Sequence, residues 1–194
     1  AGGGGSYAAN ENVFIGSECG GAAEGGDANI AIGYHAIGVG ALAGDQNVAI
    51  GYASGQQLTS AEHNTFVGGS TGLALTTGDR NVAIGTFALN DATTASGSVF
   101  IGYNAGAVTV TGNNNIGIGN TALGGAATTA DNIIAIGTNA GDALTSGTAN
   151  IMIGTNAGGA LTTAAGCTLV GSGAGDTITD GGYNTFIGDN AGQA

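Results

Sequence analysis

Lysine and proline are absent from this 194-residue sequence, and arginine occurs once, at Arg80. Against that one cation stand thirteen acidic side chains, giving a net charge of −12. Binding a phosphate backbone or an anionic lipid surface requires several cations to displace counterions, so the charge argues against nucleic acid and membrane surfaces as partners. No segment approaches the ~20 apolar residues of a membrane helix, and membrane insertion is not expected. The Ala-Gly-Gly-Gly-Gly start also lacks the basic-then-apolar form of a signal peptide. The two cysteines, Cys19 and Cys167, are too few and too far apart for a disulfide framework or a metal site.

Glycine, by contrast, occurs forty-two times. Without proline or a strict period of three this is not collagen, and it points to many tight turns or close backbone approaches. One set of glycines recurs at intervals of seventeen or eighteen residues, from Gly16, Gly33 and Gly51 through Gly68, Gly85, Gly102, Gly119, Gly137, Gly154 and Gly171 to Gly188. Eleven copies fill the chain, so residues 1–194 form a single repeat domain with no room for a separate catalytic one. This period is that of a solenoid.

Before each anchor glycine stands a β-branched residue: Ile15, Ile32, Ile50, Val67, Ile84, Ile101, Ile118, Ile136, Ile153, Val170 or Ile187. The residue three before the anchor is again Val, Ile or Thr, a period of two that predicts a short strand. The spacing therefore predicts an all-β fold, a β-solenoid of about eleven coils, with the Ile file pointing inward as its core ladder. At ~4.8 Å per rung the rod is roughly 50 Å long. That length puts Cys19 and Cys167 far beyond disulfide reach.

Other positions repeat as well. Four before the anchor, Asn recurs at Asn12, Asn29, Asn47, Asn64, Asn81, Asn115, Asn150 and Asn184, which predicts turns or a stacked amide ladder. Three after it a small residue, usually Ala, marks an inside corner. Leu58, Leu75, Leu144 and Leu161 each precede a hydroxyl pair and suggest a second strand per coil.

Two before the anchor, the residues read Phe14, Ala31, Ala49, Phe66, Ala83, Phe100, Gly117, Ala135, Met152, Leu169 and Phe186. With the Ile file inside, these would face outward, yet none is charged or hydroxylated. A strand apolar on both faces is covered on both. A lateral interface is therefore expected at Phe14, Phe66, Ala83, Phe100, Met152, Leu169 and Phe186, where copies of the chain associate. Neither end reads as a capped coil, so continuation of the chain or head-to-tail stacking into a filament is also expected.

Candidate chemical sites are few. Gly117-Ile118-Gly119-Asn120-Thr121-Ala122 fits a dinucleotide fingerprint, but near-copies recur along the repeat with no helix following. His35 and His63 occupy different repeat positions and would not pair. Asp27, Asp45, Glu62, Asp79 and Asp131, six before their anchors, could collect calcium, but Asp is also an ordinary turn residue. No catalytic, cofactor-binding or metal residue is assigned, and enzyme activity is not expected. The file Thr59, Thr76, Thr93, Thr145, Thr162 and Thr179, broken at Val110, could instead order water as an ice-binding face.

Asn47-Val48-Ala49-Ile50-Gly51-Tyr52 and Asn81-Val82-Ala83-Ile84-Gly85 resemble the head repeats of YadA-like trimeric autotransporter adhesins, whose repeats are shorter. Ile101-Gly102-Tyr103-Asn104-Ala105-Gly106 and Asn184-Thr185-Phe186-Ile187-Gly188-Asp189-Asn190-Ala191-Gly192 resemble repeats of phage tail-fibre and bacterial surface-fibre proteins. The resemblance covers the whole chain. It implies a trimeric, left-handed β-roll acting as spacer or adhesive part of an extracellular fibre, on a cell surface or virion. A cell-surface receptor or glycan would be its external partner. No catalytic residue is carried over.

Overall fold

A computed structural model of the chain describes residues 11–21, 25–39 and 41–193. Eleven three-residue strands follow one another: β1 (Val13–Ile15), β2 (Ile30–Ile32), β3 (Val48–Ile50), β4 (Thr65–Val67), β5 (Val82–Ile84), β6 (Val99–Ile101), β7 (Ile116–Ile118), β8 (Ile134–Ile136), β9 (Ile151–Ile153), β10 (Thr168–Val170) and β11 (Thr185–Ile187). Each pairs in parallel with the next, forming one sheet in sequence order. The protein is a parallel β-solenoid of about ten turns, and no helix occurs among the described residues. Repeat is stacked on repeat in register, so that Ile84 lies beside Ile101 and Val82 beside Val99.

The anchor glycines end the strands for two physical reasons. Gly16 has φ +135°, a region closed to L side chains, and a Cβ there would lie 2.6 Å from the carbonyl oxygen of Gly33. Each following anchor down to Gly171 meets the next in the same way, so the stack closes only with hydrogen at this point. Two residues on, the chain is left-handed again, at Asn104, Asn139, Asn156 and Asn190 among others. Asn tolerates that conformation better than most residues. The corner alanines follow and are buried, as at Ala88, Ala105, Ala140 and Ala157.

The strand faces are the reverse of the expected ones. Phe66, Ala83, Phe100, Met152 and Leu169 have 0% exposure and lie in the chain's own core, with Phe14 and Phe186 packed against it at the two ends. The Ile file points outward: Ile84 is 38% exposed, Ile15, Ile101, Ile153 and Ile187 are also exposed, and Ile32, Ile50, Val67, Ile118, Ile136 and Val170 are half-buried. The stacking of that file was correctly expected, but its direction was not.

The physical reason is the narrowness of the coil. Around the strand its interior is tight, so neighbouring core residues compensate one another in size. Phe66 faces Gly72, where a Cβ would come within 2.8 Å of the ring, and Phe100 crowds Gly106 and Gly117 in the same way. Where the strand offers only Ala31, Ala83 or Gly117, the position four after the anchor is filled by buried Ile37, Leu89 or Leu123. A uniform file of Ile cannot take part in such an exchange of volumes and suits a flat outer surface instead.

The anticipated second strand is also absent as a regular element. Leu58, Leu75, Leu144 and Leu161 are buried. Beyond them, however, the two N–H groups of a hydroxyl pair converge on a single carbonyl: Thr59 and Ser60 both donate to Thr76 O. An isolated bridge between Thr109 and Thr128 is the nearest approach to a ladder there.

The Asn ladder holds most coils in register from inside. Asn29, Asn47, Asn64, Asn81, Asn115 and Asn150 are fully buried. In each case the side-chain oxygen accepts the next coil's backbone N–H, as from Asn47 to Asn29 at 2.8 Å and from Asn81 to Asn64 at 2.9 Å. The amide nitrogen donates to a carbonyl about one coil on, as Asn47 does to Ala61 O and Asn81 to Ala95 O at 2.7 Å. Every buried polar atom of these side chains is thus satisfied, the condition for burying an amide without penalty.

Candidate interaction surface

Because each strand presents two residues to the outside, the sheet's outer face is a pair of adjacent files. One runs through Val82, Val99 and Ile116, the other through Ile84, Ile101 and Ile118. Thr65, Thr168 and Thr185 are the only polar side chains in either file, and none is charged. With strands ~4.8 Å apart and alternate residues nearly 7 Å apart, the face measures on the order of 500 Å². That is at the top of the range for exposed apolar patches on monomeric proteins.

Beside this face, the corners just past the anchors carry exposed aromatic rings on four of five neighbouring coils. Tyr34 and Tyr52 stack across adjacent coils, centroids 5.7 Å apart and planes at 22°. Phe87 and Tyr103 meet edge to face at 6.0 Å. His35 lies edge-on to Tyr34, and its Nε2 is 2.6 Å from Glu18 Oε2 on the preceding coil. His63 stands elsewhere on the coil, 3.9 Å from Glu62. The two histidines do not come together.

The acidic positions form a second ladder. Asp45 Oδ1 accepts the Asp27 N–H at 2.7 Å, Asp79 Oδ1 the Glu62 N–H at 2.8 Å, and Asp131 Oδ1 the Asn113 N–H at 2.6 Å. Ser96 and Asn113 continue the same file with their own side-chain oxygens. These bonds run opposite in direction to the Asn ladder, each coil's N–H reaching forward to the next coil's side chain. No group of three or more His, Cys, Asp or Glu gathers among the described residues. The Gly117–Ala122 stretch is strand β7 running into its corner and is followed by no helix.

The Thr file is likewise drawn into the stack. Thr59, Thr76, Thr145 and Thr162 donate their hydroxyls to the carbonyls of Thr76, Thr93, Thr162 and Thr179 at 2.8–3.0 Å. Cys19 and Cys167 are buried free thiols. Burial pushes the Cys19 thiol above its ordinary range, and its Sγ lies 3.0 Å from Ala31 O. No helix among the described residues is long and apolar enough to cross a membrane.

The residues expected at a lateral interface, Phe14, Phe66, Ala83, Phe100, Met152, Leu169 and Phe186, belong to the chain's own core or pack against it, and the aromatic corner was passed over, although Tyr34, Tyr52 and Tyr103 share one repeat position. Compared with family models, curated proteins and solved structures, the chain matches none.

Proposed function

We propose that this chain is a rigid structural and adhesive segment of an extracellular fibre, in which copies lie side by side with their outer sheet faces in contact. The observation that carries this is the double file of Val and Ile running the whole rod, uncovered by any other part of the described chain. A parallel sheet is ordinarily covered on both faces, and here the chain's own core covers only one. A second copy is the simplest cover: it brings an equally flat face with the same rung spacing and no buried charge. The sequence resemblance supports three copies around an axis and a left-handed coil. The net charge of −12 on the remaining surface keeps such bundles soluble and opposes further clumping.

Ice binding by the Thr file gains no support from the geometry, because its hydroxyls donate to neighbouring carbonyls. The test of the fibre reading is sedimentation of the chain at micromolar concentration with imaging of the particles by electron microscopy. Side-by-side rods roughly 50 Å long, of three chains, are expected. A stable monomer with the Val/Ile face bare would overturn the proposal.

A further inference from the structure

The two corner residues past each anchor glycine change character half-way along the rod. From Gly119 onward they are Asn120-Thr121, Thr138-Asn139, Thr155-Asn156, Ser172-Gly173 and Asp189-Asn190, a polar series suited to solvent. On the coils of Gly33 to Gly102 the same corner bears Tyr34, Tyr52, Phe87 and Tyr103, all exposed, with Tyr52 at 62%. Phe87 is the telling case. It is left-handed, φ +60°, at the position that Asn104, Asn139 and Asn156 fill elsewhere. A bulky aromatic residue is disfavoured in that conformation, and Phe87 is left 39% exposed. The turn itself does not call for a phenyl ring at this place.

We propose that the corner from Tyr34 to Tyr103 binds a neutral polysaccharide chain lying along the rod. This rests on the adhesive part of the function proposed above and names its surface. The rings form two pairs, Tyr34 with Tyr52 and Phe87 with Tyr103, separated by one coil that carries Gly69 and Ser70. At Gly69 a Cβ would meet only Thr86 Cγ2, at 3.9 Å, so the space between the pairs is open. From Tyr34 to Tyr103 is four rungs, ~19 Å, a span suited to a short oligosaccharide.

The ligand class follows from what lies between and around the rings. The apolar C–H face of a sugar sits on the electron-rich face of an aromatic ring, while its hydroxyls need hydrogen-bonding groups close by. Ser70, Thr86, Asn104 and the Glu18–His35 pair provide them along the same corner. Nucleobases would also stack, but their phosphates meet a chain of net charge −12 with one arginine. Acidic glycans are disfavoured on the same ground. A rim of the lateral interface would follow the Val/Ile face over all eleven strands, whereas the rings stop at Tyr103.

The test is native electrophoresis of the full chain in gels cast with soluble neutral polysaccharides: a mixed-linkage β-glucan, a mannan and a galactan. Polygalacturonate serves as the anionic control. Retardation by at least one neutral polymer is expected. Phe87→Asn should weaken it roughly three- to tenfold without harming the fold, since Asn is the residue that other coils use there. Tyr34→Ala combined with Tyr52→Ala should abolish it, and Tyr183→Ala, on an exposed ring outside the row, should leave it unchanged. The site is overturned if no neutral polymer retards the chain, if only polygalacturonate does, or if Phe87→Asn and the double variant run like the parent. Sedimentation of the same samples separates the two proposals: retarded monomers keep the site and remove lateral association, and unretarded bundles do the reverse.

Discussion

Asn64 offers one side-chain oxygen to two donors of Asn81, the backbone N–H at 2.9 Å and the side-chain Nδ2 at 3.0 Å. Its own Nδ2 donates to Gly78 O at 2.9 Å. Asn64→Ala would remove all of these inside a core that water cannot enter. Each stranded buried group costs about 1–3 kcal/mol, so a loss of ~3 kcal/mol or more is expected in urea unfolding. Asn64→Ser should cost less, because Ser98 already serves the ladder by accepting the Asn115 N–H at 3.1 Å. Equal effects of the two substitutions would show that the ladder does not hold the stack.

The same ladder has a gap that can be filled. Cys167 occupies an Asn position and points its Sγ toward Gly181 O at 3.4 Å, as Asn150 Nδ2 points to Ala164 O at 2.7 Å. Cys167→Asn places a donor toward an acceptor that is already in position and adds an oxygen directed at the next coil. A gain of about 1 kcal/mol in stability is expected, measured by denaturant midpoint. A loss would mean that the pocket around Cys167 has no room for the amide.

The ladder also held the clue to the inverted faces. Residues two apart on a strand share a face, so Asn29 and Ala31 must point the same way. An amide stack linking successive coils works best inside, away from competing water, and that places Ala31, Phe66 and Phe100 inside with it. The period, the strand positions, the tight corners and the register were legible because each is imposed rung by rung. The direction of the strand was not legible from hydrophobicity alone, since both of its faces are apolar. What distinguishes them is variance: the core file swings between Phe and Gly as its neighbours change, and the outer file stays Ile or Val. The aromatic corner was harder to see, because the position that Tyr34, Tyr52 and Tyr103 share carries Gly or polar residues on the other coils, and Phe87 stands one residue further on.

Two glycines separate the claims of conformation and space from those of composition. Gly102 has φ +136° and abuts the carbonyl of Gly119, whereas a Cβ on Gly69 would touch only Thr86. Gly102→Ala should destabilise by several kcal/mol or prevent folding, combining a closed backbone region with a backbone clash. Gly69→Ala should lie within about 0.5 kcal/mol of the parent. Thermal melts of the two variants side by side decide it, and comparable melting temperatures would refute the close stacking of anchors.

Asp142 carries the pH dependence that can be signed. Burial raises its carboxyl above the ordinary carboxylate range, outweighing the hydrogen bonds from its own and the Ala143 backbone N–H. A group with a raised folded value favours the fold while protonated. That contribution is complete below the unfolded value and is lost as pH rises through the folded one. Asp142→Asn, neutral at every pH, should therefore gain stability over the parent as pH climbs out of the carboxylate range, and match it in acid. A difference that grows toward low pH would reverse the sign and refute the assignment.

Phe100 and Ile101 are consecutive and face opposite ways, so together they test both the core and the proposed association. The Phe100 ring lies against Gly106 and Gly117, which have no side chains to collapse into a vacancy. Phe100→Ala should therefore cost about 3–5 kcal/mol, the range for a buried aromatic whose cavity stays open. Ile101 is exposed on the outer sheet face, and Ile101→Ala removes no intrachain core. Its effect on the stability of dilute protein should stay within about 1 kcal/mol. In concentrated protein the order reverses: Ile101→Ala, and more so Ile84→Lys combined with Ile101→Lys, should shift sedimentation from bundles toward single rods. Circular dichroism and urea unfolding at low concentration report on the core, and sedimentation equilibrium over a concentration series reports on the face. If Ile101→Ala unfolds the dilute chain while Phe100→Ala leaves it intact, the outer and inner files have been exchanged. If the double lysine variant associates as the parent does, copies of this chain do not meet through the sheet.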